Sequence, residues 1–287
     1  MTVLITGANK GIGYQIARQF AQNNYEGKII ITARNEFLGH EALKSLKNEF
    51  PEANFVFHQL DITDFTSRRT LIDFIKSKNE NLKILINNAG IAYKVNSEAD
   101  FSEQAEVTNT TNYYGTKSLT IEMLDDGSIF EDRSRILMCS SLCSDTSYAK
   151  CSKTVQEGFK ENIKSVSELD AIVENFIDLA DKEGPVENND ELLSLYSNSA
   201  YGMSKVFVRS LACILAKTNP NINFYSYCPG WCKSDMAGWE KPPLSAEEGS
   251  KIAYWLGTSE DKIILESNGG YFRNGGKLCD WGYVDGE

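Results

Sequence analysis

Thr2-Val3-Leu4-Ile5-Thr6-Gly7-Ala8-Asn9-Lys10-Gly11-Ile12-Gly13 is the stretch that decides the fold. Val3 to Thr6 reads as a short buried strand. From Gly11 to Asn23 the apolar residues Ile12, Ile16, Ala17 and Phe20 recur at helical spacing. The context is therefore strand, glycine turn, helix. Glycine admits positive φ and close backbone approach, and a helix N-terminus attracts phosphate. The spacing Gly-x3-Gly-x-Gly is not the G-x-G-x-x-G fingerprint, and the Gly-Lys-Ser/Thr of a P-loop is missing. Such a turn also serves as a plain tight connection or as the glycine loop of a methyltransferase. Its place directly after the first strand favours a dinucleotide.

Outward from this turn the same rhythm repeats. Lys28 to Ala33, Asn54 to Gln59, Lys83 to Asn87, Arg135 to Cys139 and Asn223 to Tyr227 read as further strands. Glu41 to Phe50, Ser67 to Lys78 and Lys205 to Lys217 read as helices. Alternating strands and helices predict an α/β, Rossmann-like, doubly wound parallel sheet covered on both faces. Residues 145–198 break the pattern, with 5 Lys against 12 Asp and Glu, a net of −7. Within them Leu169, Ile172, Val173, Phe176, Ile177 and Ala180 share a helical face. Ser165 with Glu168 forms a capping-box pattern, and Gly184 to Asp190 reads as a loop. This segment is expected to be a helical insertion with a solvated acidic face.

The chain has 287 residues, 41% hydrophobic, with 29 basic and 40 acidic residues and a net charge of −11. That balance disfavours nucleic acid and anionic membranes as partners. No run reaches the roughly 18 apolar residues of a spanning helix. The first residues have no basic n-region or cleavage site, so no signal peptide is expected. Seven cysteines without CxxC spacing, and only two histidines, predict reduced thiols, no metal site and a cytoplasmic setting.

Two features point to chemistry. The second strand ends Thr32-Ala33-Arg34 where an NAD site usually places an acid, and Lys10 stands in the glycine turn. Two cations there suit a 2′-phosphate, so NADPH/NADP+ is the expected cofactor. Tyr-x3-Lys puts two side chains on one helix face, and a lysine there can lower a phenol pKa from about 10 and make it a proton donor. The chain contains the pattern twice, at Tyr113/Lys117 and Tyr201/Lys205. Spacing alone does not choose between them.

Across nearly its whole length the chain resembles the short-chain dehydrogenase/reductase family. The resemblance rests on Thr6-Gly7-x3-Gly11-Ile12-Gly13, Asp61-Ile62, Asn87-Asn88-Ala89-Gly90, Ser140-Ser141, Tyr201-x3-Lys205 and Pro229-Gly230. Within the family it is similar to the monomeric carbonyl reductases. Those share Thr32-Ala33-Arg34, the long insertion, Cys228-Pro229-Gly230-Trp231, the run from Asn87 to Val95, and Asp235-Met236-Ala237-Gly238. The insertion separates Ser141 from Tyr201 by 60 residues and leaves Thr154 where the wider family has its tyrosine.

The resemblance implies NADPH-dependent reduction of ketones, aldehydes and quinones by hydride transfer to the carbonyl carbon. It implies Tyr201 as the acid, Ser141 as a hydrogen-bond donor to the same oxygen, and Lys205 as the residue that lowers the tyrosine pKa and binds the nicotinamide ribose. Asn112 would hold a relay water. Gly7, Asn9, Gly11, Ile12 and Gly13 would cradle the pyrophosphate, with Lys10 and Arg34 at the 2′-phosphate and Asp61 and Ile62 at the adenine. Asn88, Ala89 and Gly90 would line the adenosine side, and Pro229, Gly230 and Cys232 would cover the carboxamide. Ser141, Leu142, Cys143, Tyr201 and Trp231 would face a small-molecule carbonyl substrate. For Trp231 a core position is an equal alternative, and a buried, inert Cys228 is favoured over a reactive one. A non-catalytic NADPH sensor, or an NADP-dependent alcohol or steroid dehydrogenase, are the alternative functions. The insertion should cover the helices through which related enzymes assemble, so one domain and a monomer are expected.

Overall fold

A computed structural model describes residues 1–78, 81–94, 96–182 and 186–282. Eight strands form one sheet: β1 Thr2–Ile5, β2 Lys28–Ala33, β3 Asn54–Gln59, β4 Leu82–Asn87, β5 Phe130–Cys139, β6 Asn223–Cys228, β7 Tyr271–Arg273 and β8 Lys277–Cys279. Their spatial order is β3-β2-β1-β4-β5-β6-β7-β8. All neighbours are parallel except β7 and β8, which form an antiparallel edge. The chain is thus Rossmann-like and doubly wound, as expected, with one antiparallel strand added. The order reverses between β1 and β4, where an open α/β sheet offers its ligand crevice.

Strand alternation divides the core between the two faces. Val3, Ile5, Ile29, Ile31, Ile84 and Ile86 pack on one side with Ile16, Phe20, Ile252 and Leu256. These come from α1 (Gly11–Gln22) and from a helix near the C-terminus, Ala246–Thr258. Leu4, Ile30, Leu85, Ile136 and Phe224 pack on the other side with Leu71, Leu119, Phe207 and Leu211.

The helices on the way are α2 Glu36–Glu49, α3 Phe65–Ser77, α4 Phe101–Asn109 and α5 Thr116–Asp125, with a π-helical turn, Thr110–Gly115, joining the last two. Then come α6 Leu142–Lys150, α7 Lys153–Glu157, α8 Val166–Ala180, α9 Asp190–Leu195 and α10 Ala200–Thr218. The C-terminal pair is α11 Ala246–Thr258 and α12 Lys262–Leu265. Several expected boundaries move: β5 starts at Phe130 rather than Arg135, α3 at Phe65 rather than Ser67 and β4 at Leu82 rather than Lys83, and two helix starts move by five residues. Helix α2 starts at Glu36, five residues before the expected Glu41, because the Asn35 side chain caps Leu38 N at 2.9 Å while Phe37 and Leu38 lie exposed. Helix α10 starts at Ala200, capped by Ser199 Oγ accepting from Gly202 N at 3.0 Å.

The insertion is helical, as expected. Leu169, Val173, Phe176, Leu179 and Ala180 of α8 are buried. The Phe176 ring meets Phe101 of α4, Phe207 of α10 and Tyr196 edge-on. Ser165 caps Glu168 N at 3.2 Å, but Glu168 Oε2 reaches Lys164 N rather than closing the box on Ser165 itself. Of the expected loop, Gly184 and Pro185 lie outside the described residues. The rest forms a short 3₁₀ turn, Val186–Asn188, and the Asn189 cap of α9.

Candidate active site

The glycine turn is drawn tight at the C-terminal ends of β1 and β4. Gly7 has φ +63°, and a Cβ there would stand 2.9 Å from the Ala89 Cα. A Cβ on Gly13 would meet Asn88 Nδ2 and the Gly7 carbonyl, both at 2.5 Å. Only glycine fits either position. The Asn88 amide donates to the carbonyls of Thr6 (2.9 Å) and Gly7 (3.1 Å), and Thr6 Oγ1 accepts from Asn88 N and Ala89 N at 3.0 and 2.9 Å. Asn88 therefore shapes the turn together with Thr6, which the sequence names only as the first residue of the glycine-turn motif. Lys10, the N-cap of α1, supplies no side-chain cap to the first amides of the helix. Such a turn fits a pyrophosphate.

Arg34 is exposed at the end of β2, and Asp61 and Ile62 follow β3. Asp61 Oδ1 accepts from Thr63 N and Thr63 Oγ1 at 3.0 and 2.7 Å, while Ile62 is 6% exposed. Lys10 is paired across the crevice with Asp235 at 2.7 Å, and the lysine holds that carboxyl below its ordinary range. Asp235 was quoted in the sequence only as part of a run; its partner lies 225 residues away, beyond any spacing argument.

Beyond the turn lies the proposed catalytic group. Ser141 follows β5 and is the N-cap of α6, its Oγ accepting from Cys143 N at 3.2 Å. Tyr201 sits in the first turn of α10, and its phenol lies beside the Ser141 side chain. Lys205, one turn on, is 4% exposed. Its Nζ donates to the Cys139 carbonyl at 2.8 Å and lies 5.6 Å from the Tyr201 ring centre. Ser140 Oγ donates to the Lys205 carbonyl at 2.9 Å, tying the end of β5 to α10 one turn beyond Tyr201.

Asn112 falls in the π-helical turn. Its Oδ1 accepts from Ile91 N at 2.8 Å, and its Nδ2 donates to the Ile91 carbonyl at 2.9 Å and to Ser204 Oγ at 3.0 Å. A Cβ on Gly90 would lie 3.0 Å from Asn112 Oδ1 and 3.4 Å from Lys205 Nζ, so glycine lets these two polar groups border the same gap.

The electrostatics differ from the expectation in one respect. Burial, reinforced by the thiols of Cys139 and Cys143, holds the Tyr201 phenol well above 10, and the neighbouring Ser141 hydroxyl opposes this only in part. Burial also depresses Lys205. With its ammonium turned to the Cys139 carbonyl, Lys205 does not bring the phenol pKa down here. At neutral pH the phenol keeps its proton.

The other Tyr-x3-Lys pair does different work. Tyr113 is fully buried, its OH donating to Asp170 Oδ1 of α8 at 2.9 Å, and Lys117 Nζ binds the same oxygen at 2.7 Å. Both side chains clamp the insertion onto the helix beneath it. Thr154 lies in α7, inside the insertion.

Around the mouth, Trp231 is 48% exposed, so it is not a core residue, and Met236 and Trp239 are 43% and 63% exposed. Cys143 is exposed. Leu142 packs on Cys228, Tyr271 and Cys279. Cys228 is buried and its thiol is pushed up to about 12 by burial, which makes it inert, as favoured. Gly230 has φ +87°, with Leu244 where a Cβ would go. Cys232 Sγ donates to the Pro229 carbonyl at 3.3 Å and seats this loop against α11. Val95 lies outside the described residues.

The short chain dehydrogenase family profile matches residues 1–153. The chain belongs to the short-chain dehydrogenase/reductase family. It is 37% identical over 259 residues to "Carbonyl reductase [NADPH] 1" of Rattus norvegicus, covering 88% of this chain and 89% of that one. With the Sus scrofa protein of that name it shares 32% over 285 residues, covering 97% and 93%. Among solved structures it is similar to salutaridine reductase from Papaver somniferum, with 28% identity, a TM-score of 0.78, and coverage of 95% and 99%. A Burkholderia multivorans family member with bound NADP, 18% identical at a TM-score of 0.66 and covering 98% and 99%, shares the fold.

Proposed function

We propose that this protein is an NADPH-dependent carbonyl reductase that converts ketones, aldehydes and quinones to alcohols. The observation that carries the proposal is the meeting of the Tyr201 and Ser141 hydroxyls at the crevice, with Lys205 and Asn112 directly behind them. The naming of the curated relatives for NADPH and carbonyl reduction supports it.

The turn from Gly7 to Gly13 would hold the cofactor's pyrophosphate, and Lys10 and Arg34 its 2′-phosphate. Asn88, Ala89 and Gly90, with Asp61 and Ile62, would flank the adenosine. Pro229, Gly230 and Cys232 would cover the nicotinamide carboxamide. When bound, the cofactor supplies a hydride to the substrate carbonyl carbon. Tyr201 donates its phenolic proton to the carbonyl oxygen, and Ser141 Oγ donates a hydrogen bond to the same oxygen as negative charge develops there. The raised phenol pKa keeps that proton in place until the oxygen becomes basic. Lys205 would hold the cofactor ribose, and its ammonium, donating to the Cys139 carbonyl, stands at the end of the path by which a proton returns to Tyr201. Asn112 keeps one Oδ1 lone pair on the Gly90 side, where a relay water can return a proton toward Lys205. Leu142, Cys143 and Trp231 would border the substrate, and an apolar mouth of this kind accepts bulky carbonyls with little discrimination by shape.

The chain is read as one domain and as a monomer, since α8 lies over α4 and α10 and occupies the faces that would otherwise pair. It is read as cytoplasmic, with seven free cysteines among the described residues. Among the described residues no helix is long and apolar enough to cross a membrane. The test is NADPH consumption across a carbonyl panel beside an NADPH-binding titration. Turnover with several ketones and quinones is expected. Binding without any turnover would instead make the protein a sensor.

A further inference from the structure

Helix α10 carries Tyr201, Lys205 and Arg209 four residues apart, one stripe along its face. Helix α6 carries Asp145 one turn beyond its cap, Ser141. The two stripes meet level by level. Ser141 stands beside Tyr201, and Asp145 Oδ1 accepts from Arg209 Nη1 at 2.9 Å. Asp145 is 1% exposed, and its Oδ2 accepts from Arg273 Nη2 at 2.9 Å. The Tyr271 hydroxyl stands 3.1 Å from Asp145 Oδ2 and 3.1 Å from the Ser141 carbonyl oxygen, so it can donate to either. The Arg209 guanidinium lies between the rings of Tyr271 and Trp281, 4.0 and 3.9 Å from their centres. Its Nη2 donates to the Cys279 carbonyl at 3.3 Å.

A charged triad this deep is a poor source of stability, because desolvation offsets most of the attraction. What it does supply is direction. Apolar side chains of the same volume would let α6 slide or rotate against α10. A carboxylate held at each oxygen by a different guanidinium admits one register. That register sets where Ser141 stands.

We propose that Asp145 and Tyr271 are positioning residues for Ser141. The carboxylate, gripped by Arg209 and Arg273, locks α6 to α10 one turn below the serine. Tyr271, its one proton shared between the Asp145 carboxylate and the Ser141 carbonyl, ties the serine's backbone to that anchor and keeps Ser141 Oγ beside Tyr201. The C-terminal β7–β8 hairpin, which supplies Tyr271, Arg273 and Cys279, thereby becomes part of the catalytic scaffold. This rests on the reading of Ser141 as a donor to the substrate oxygen.

The test is a double-mutant cycle. Tyr271→Phe removes one oxygen and keeps the ring beneath Arg209, whereas truncating Asp145 would leave two buried guanidiniums without their anion. Tyr271→Phe should lower kcat about 10-fold while KM and NADPH affinity stay within about 2-fold. In a Ser141→Ala background the same change should cost less than about 2-fold, because its route to the chemistry is already gone. Equal losses in both backgrounds, a loss confined to KM, or unchanged kcat in the Ser141 enzyme would overturn the inference and leave the site reading intact. Wild-type kcat in Ser141→Ala alone would overturn the site reading, and the inference with it.

Discussion

Tyr113 and Tyr201 are each followed four residues on by a lysine, and their surroundings separate them. The Tyr113 hydroxyl and Lys117 both spend themselves on Asp170, whereas Tyr201 faces Ser141 in the crevice. No spacing rule could distinguish the pairs, because Asp170 lies 57 residues from Tyr113. The family resemblance did so, through the run of motifs in order. Tyr113→Phe should therefore keep near-wild-type turnover and lose about 1 kcal/mol of stability with its hydrogen bond, read from the denaturant midpoint. The cations at Lys10 and Arg34 were legible as residues but not in their geometry: Lys10 is engaged by Asp235. Arg34→Ala should raise KM for NADPH about 10-fold or more and leave KM for NADH nearly unchanged, as expected for the loss of a charge-assisted contact to the 2′-phosphate. Equal effects on both cofactors would remove Arg34 from that role.

Helices and strands with strong periodicity were legible, and those whose ends depend on capping were not. The runs at β2 and β3 were readable to the residue, since β-branched and aromatic side chains mark them without interruption. The start of α2 was missed because its first turn exposes Phe37 and Leu38, which spoils the amphipathic pattern. The short β7 and β8 have three residues each, too few to show a period. The π-helical turn at Thr110–Gly115 has no sequence signal, yet it is what turns the Asn112 amide toward Ile91 and Ser204. In the insertion the apolar stripe of α8 was visible, but its target was not. Phe176, fully buried between α4 and α10, is the centre of that docking. Phe176→Ala should cost about 3–5 kcal/mol in chemical denaturation, the range for emptying a buried aromatic site. A loss below 1 kcal/mol would mean that α8 is not packed as described.

At the scale of the molecule, the charge is uneven and the core is rich in tyrosine. The net of −7 carried by residues 145–198 belongs to a helical cover whose apolar side faces inward, so the acidity says little about the crevice, where Lys10, Arg34 and Lys205 stand. Burial pushes Tyr25, Tyr114 and Tyr196 up to about 12 from 10. A group whose folded pKa is raised binds its proton more tightly in the native state. Its stabilisation is complete below pH 10 and is lost as pH climbs from 10 toward 12. Buried Cys151, Cys228 and Cys232 are raised from 9 in the same way, so the denaturant midpoint should hold steady from neutral pH to about 8.5 and then fall. If α8 covers the assembly faces, light scattering should give the mass of one chain; a tetramer mass would contradict that cover. The most direct test of the whole account is NADPH oxidation with a quinone by wild-type protein and Tyr201→Phe, each checked for NADPH binding. Both should bind the cofactor and only the wild type should turn over. Near-wild-type turnover in Tyr201→Phe would contradict the assignment of Tyr201 as the proton donor.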